Sequence, residues 1–214
     1  MPVVGQPLAF GIGFVVLLLV VFTGTWAGSL VTVAHESGHI VGALLTLRDH
    51  AGFQLNDDGS AFTTVSRSRW SFGGLIAAFA GYPLPPLLGL GGAAVVADGN
   101  AWAVLWSALA LLVWAFMQAA NALANAVTLL ASIGVGWVAL TGSPELKAAI
   151  AVGLVWLMLI GGALDSTTRL SRAAKSDAEY MSRWTLVPRI AWHGIWALIG
   201  VLCLWFGASW LLVG

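Results

Sequence analysis

Apolar runs of about 20 residues recur along this chain, at about 8–24, 26–47, 72–96, 101–119, 122–141, 146–165 and 189–213. No other feature constrains the fold as strongly. A run of that length matches the hydrocarbon thickness of a bilayer when helical. In lipid, a helix is also the simplest single-chain way to pair every backbone N–H and C=O. Only 8% of the 214 residues are charged, against about a quarter in a soluble domain. The expectation is an all-α polytopic membrane protein of about seven transmembrane helices, forming one unit over residues 1–214. The weakest division lies between Ala101 and Leu140, too long for one helix, where Asn121 and Asn125 mark the turn.

The basic residues test the count. Arg48, Arg67 and Arg69 follow the second run, and Arg169, Arg172, Lys175, Arg183 and Arg189 follow the sixth; Lys147 alone falls on the other side. The positive-inside rule then puts the amino terminus and both basic segments in the cytoplasm and the carboxyl terminus outside. No Lys or Arg precedes the first run, so it reads as a retained span and not as a cleaved signal. A single cysteine, Cys203, excludes an internal disulfide or a thiolate cluster. The twelve Trp are spread through the spans and their ends, as interfacial anchors are. Nothing points to nucleic acid, and no feature fixes an oligomeric state.

The second run contains His35-Glu36-Ser37-Gly38-His39. On a helix, residues four apart share a face, so both imidazoles can reach one zinc ion while Glu36 serves as a general base. The plainer reading is two core histidines beside a paired glutamate. A carboxylate at mid-membrane depth costs at least about 2.5–3.5 kcal/mol, and the apolar stretch holds no basic residue to partner it. The metal reading is therefore preferred.

Other segments carry weaker signals. Gln54 to Val65 has an Asp-Gly turn followed by β-branched residues; it reads as a short cytoplasmic β-hairpin or as an ordinary connecting loop. A hairpin would offer an edge to an extended substrate strand. Gly81-Tyr82-Pro83-Leu84-Pro85-Pro86 either kinks the third span or breaks it, exposing backbone to a catalytic cavity. The segment from Ser166 to Arg189 suits the anionic cytoplasmic leaflet. His193 reads as a hydrogen-bonded interfacial residue and His50 as a loop residue.

Together these residues resemble the site-2 protease class of intramembrane metalloproteases, closest to its bacterial M50B-like branch. His35, Glu36 and His39 match the family's zinc ligands and base. Gly81, Tyr82 and Pro85 fit its Gly-Tyr-x-Gly-Pro element, with Leu84 where glycine is expected. Gly161-Gly162, Ser176-Asp177-Ala178, Pro188 and Trp192 also fit the branch. The Asn-x-x-Pro and Leu-Asp-Gly elements of better-known members are missing, and Leu164-Asp165-Ser166 is the nearest echo. The resemblance implies a zinc endopeptidase in the bacterial cytoplasmic membrane, cutting membrane-spanning protein substrates within the lipid bilayer. For the third zinc ligand, Asp165 is preferred to Asp177: it ends the sixth span on the pentad's side, whereas Asp177 requires the basic segment to fold back. Asn121, Asn125 and Pro85 are candidate substrate or oxyanion contacts. The rival readings are a metal-binding scaffold or pseudoprotease and, last, a transporter, for which no inverted repeat is evident.

Overall fold

The computed structural model describes residues 5–23, 25–65, 72–168 and 177–213. Arg67, Arg69, Arg169, Arg172, Lys175 and Ser176 lie outside them. The order is α1 (Gln6–Thr23), α2 (Thr25–Leu45), β1 (His50–Leu55), β2 (Ala61–Val65), α3 (Phe72–Ala80), α4 (Leu84–Ala97), α5 (Ala101–Gln118), α6 (Ala122–Thr141), α7 (Pro144–Thr168), α8 (Asp177–Thr185) and α9 (Arg189–Val213). Among the described residues, five helices are long and apolar enough to cross a membrane: α1, α5, α6, α7 and α9. The pair α3 and α4, bent by 59° at its break, makes a sixth if counted as one span. Helix α2 has 21 residues but falls short of that apolarity, because His35, Glu36 and His39 lie within it. The expected seven are therefore five or six by this measure. The chain is a multi-pass membrane protein whose pentad helix is the least lipid-like of its long helices.

The proline cluster explains the break. Pro83 caps α4, and Pro85 and Pro86 occupy its first turn, where backbone N–H groups have no helical partner to lose. The third span is thus two helices rather than one kinked helix. The turn between α5 and α6 falls at the asparagines: Asn121 caps α6, its side chain accepting from Ala124 N at 3.0 Å.

Helix α7 is the centre, with 61% of its spanning window buried against 17–39% in the other four long spans. Its small residues let neighbours approach, which is how helices associate where lipid offers no hydrophobic drive. A Cβ on Gly161 would strike Val31 of α2, and one on Gly162 would strike Pro86 of α4. On the far side, Gly200 of α9 lies against Ala163. Trp156 ties α1 to α7, its Nε1–H donating to the Ala9 carbonyl at 3.0 Å.

The segment from Gln54 to Val65 is a hairpin, not an ordinary loop. Strands β1 and β2 pair antiparallel, with Phe53 opposite Thr63 and Leu55 opposite Ala61. Gly59 closes the turn at φ +78°. Gly52, at φ +76°, sits in an irregularity of β1 where any side chain would meet the Gln118 carbonyl. That close approach lets the segment after α5 join the strand: Ala120 N–H donates to Phe53 O at 2.8 Å. The Asn121 side chain donates to Leu55 O at 2.7 Å and accepts from Leu55 N at 3.3 Å. Phe53, fully buried, packs with Val33 and Ile40 of α2.

Candidate metal centre

Helical spacing stacks the two imidazoles on one face of α2, with Nε2 atoms 3.1 Å apart. Both rings are buried, as is Glu36, which is 2% exposed. Helix α8 brings the third donor. Ala178 and Met181 bury against Ala78, Tyr82 and Trp196, and this seats Asp177, at the helix start, beside the rings. Asp177 Oδ2 lies 3.3 Å from His39 Nε2 and 3.5 Å from His35 Nε2.

Each outer ring nitrogen also faces an oxygen. His39 Nδ1–H donates to the Ala77 carbonyl at 2.8 Å. Ala77 is in the last turn of α3, so the carbonyl that orients His39 stands just before the break. His35 Nδ1 faces Asp165 Oδ2 at 3.3 Å. With both Nδ1 atoms protonated, the two Nε2 lone pairs point at each other across 3.1 Å. That arrangement is repulsive without a cation or proton between them.

The donor set fits zinc. Bonds of about 2.0–2.1 Å in a tetrahedron place ligand atoms about 3.3 Å apart, and the three separations here are 3.1, 3.3 and 3.5 Å. Space has also been kept at the donors. A Cβ on Gly81 would lie 2.5 Å from His39 Cε1 and 2.9 Å from His35 Nε2. Gly38, inside the pentad, allows the same close approach from the other partner, since a side chain there would strike the Ala80 carbonyl.

The remaining predicted residues are distributed around this triangle. Asp165, preferred from sequence as third ligand, is at the outer nitrogen of His35 rather than among the three clustered donors; the alternative, Asp177, is among them. Asn121 is engaged with the hairpin backbone and the α6 cap. Asn125 is half-buried in the first turn of α6, and Pro85 is buried in the first turn of α4. His50 bonds Gln118 Oε1 at 3.0 Å. His193 is buried beside Tyr82, whose ring stands edge-on to His35 at 4.4 Å.

The chain matches the family model described as Peptidase M50B-like over residues 8–207. It belongs to that family. No curated protein and no solved structure matches it. M50 peptidases are generally zinc-dependent, and in this M50B-like chain the donors that cluster are those the pentad and the Ser-Asp element supply.

Sequence reasoning missed one partner. Thr63 Oγ1–H donates to Glu36 Oε2 at 2.6 Å, with Glu36 O at 3.2 Å. The buried carboxylate is thus paired not by a base in its own span but by a hydroxyl on β2. The signal was present in the strand period: Ala61, Thr63 and Val65 share the less exposed face of β2.

Proposed function

We propose that this chain is an intramembrane zinc endopeptidase that hydrolyses peptide bonds of membrane-spanning proteins. The observation that carries the reading is the triangle of His35, His39 and Asp177 with metal-ligand separations beside a buried glutamate. His35, His39 and Asp177 would hold the zinc, and Asp165 and the Ala77 carbonyl would fix the two rings. Zinc bound there would supply Lewis acidity toward a scissile carbonyl and an attacking water. Glu36 takes the proton of the attacking water on its carboxylate and returns it to the leaving amine. Burial of Glu36 keeps bulk water from competing for that proton.

A peptide bond within a helix is shielded by its own hydrogen bonds, so the substrate must be extended before attack. Strand β2, beside Glu36, offers an edge on which an extended segment can be held. Counting α2 and the bent pair with the five apolar helices gives seven crossings. With the hairpin on the basic side, the amino terminus is cytoplasmic and the carboxyl terminus outside.

The rival scaffold reading accounts for the metal but gives no reason to bury a carboxylate next to it. The deciding experiment compares wild type with Glu36→Gln, both zinc-loaded, on co-expressed single-span membrane proteins. The expected result is full metal occupancy in both and cleavage in wild type alone. Equal cleavage by the variant would refute the assignment.

A further inference from the structure

Glu36 is held from outside its own helix, and the hold runs through an unbroken series of contacts. The turn after α5 bonds β1 through Ala120 N–H to Phe53 O and through the Asn121 side chain to Leu55. Phe53 lies directly opposite Thr63 in the hairpin register and is locked against Val33 and Ile40 of α2. Thr63 then donates to Glu36 Oε2 at 2.6 Å, a short hydrogen bond. One carboxylate oxygen is therefore committed to the hairpin, and the other, Oε1, is left for proton transfer.

We propose that Thr63 is a positioning residue for the base, and that the β-hairpin sets the rotation of the Glu36 carboxylate through it. The inference rests on the peptidase reading and adds to it a specific link between the strand that would hold substrate and the group that would take the proton. A free carboxylate on a helix samples several rotamers. A base must lie within hydrogen-bond reach of the proton it removes, so a tether that selects one rotamer raises the fraction of productive encounters. The tether sits on the strand beside which an extended substrate would lie. Displacing or ordering that strand therefore alters the aim of Glu36 directly. A hydroxyl is the suitable tether: it donates to the carboxylate without bringing a competing charge into a buried site, as Lys or Arg would.

The test uses the full chain in detergent micelles, zinc-loaded, with fluorescein-labelled casein as probe substrate. Thr63→Val keeps the shape and removes the donor. A hydrogen bond to a charged group corresponds to about a 10- to 100-fold effect, so kcat is expected to fall by that factor. KM and zinc content should stay unchanged, and Thr63→Ser should restore kcat to within a few-fold. Wild-type kcat in Thr63→Val, where Glu36→Gln is inactive, would overturn the inference and leave the peptidase reading intact. Full turnover by Glu36→Gln would instead overturn both.

A second measurement needs no turnover. Amide hydrogen exchange across residues 61–65 should quicken about tenfold in Thr63→Val and in Glu36→Ala alike. The double variant should be no faster than either single one, because both remove the same bond. Additive acceleration, or none in Glu36→Ala, would overturn the link even if casein is not cut.

Discussion

Replacing Gly81 by alanine is the sharpest probe of the metal centre, because it adds one methyl group where the structure has no room. The new Cβ would stand 2.5 Å from His39 Cε1, 2.7 Å from His39 Nε2 and 2.9 Å from His35 Nε2. Neither ring can retreat at little cost. His39 is tied to the Ala77 carbonyl at 2.8 Å, and His35 has Asp165 behind it at 3.3 Å. A shift large enough to clear the methyl breaks the Ala77 bond and takes Nε2 of His39 out of the triangle. Four-ligand zinc sites bind with about 10–16 kcal/mol, so one ligand is worth about 2.5–4 kcal/mol, and losing it weakens binding by about 60- to 700-fold. Competition against a chromophoric chelator measures this on purified protein, with helical circular dichroism as the control for folding. An unchanged zinc affinity in Gly81→Ala would mean that the ring nitrogens do not hold the metal, and the reasoning above would fail.

Three further outcomes are expected. Asp177→Ala should weaken zinc binding by a factor like that of Gly81→Ala, whereas Asp165→Asn should cost about 10- to 100-fold, the usual effect of removing a group that orients a ligating histidine; the same competition assay ranks them, and the reverse order would exchange their roles. Asn121→Ala removes the α6 cap and both bonds to Leu55, so thermal stability should drop by about 2 kcal/mol and proteolysis within residues 56–60 should quicken. Stripping zinc with a chelator should lower the melting temperature; at free zinc 100-fold above Kd the stabilisation is about 2.7 kcal/mol, and an unshifted melt would argue against a bound ion.

Much of this architecture could be read from local pattern. Among the described residues the apolar runs located the long helices, the asparagines marked the α5–α6 turn, and Asp57-Asp58-Gly59 marked the hairpin. Those features depend on residues close in sequence. What escaped depends on residues brought together by packing. Asp177 was disfavoured because its segment is basic and polar, and returning it to the membrane looked costly. The amphipathic spacing of Ala178 and Met181 within α8 supplies the apolar face that packs Asp177 beside the imidazoles. Thr63 could be placed on a strand, yet nothing local said that its hydroxyl would meet a carboxylate 27 residues earlier. The proline cluster was legible as a disturbance, though not as the place where a carbonyl meets His39.

That last relation bears on what can be transplanted. A pentad grafted onto an intact helical bundle would carry both imidazoles but would lack the broken neighbour against which one of them is set. In this chain the turn just before the interruption at Gly81–Pro83 presents the Ala77 carbonyl to His39, so one crossing helps determine which tautomer a histidine in another will hold. Designers seeking to rebuild the centre, or to disable it without touching a donor, can work on the seam between those two half-helices.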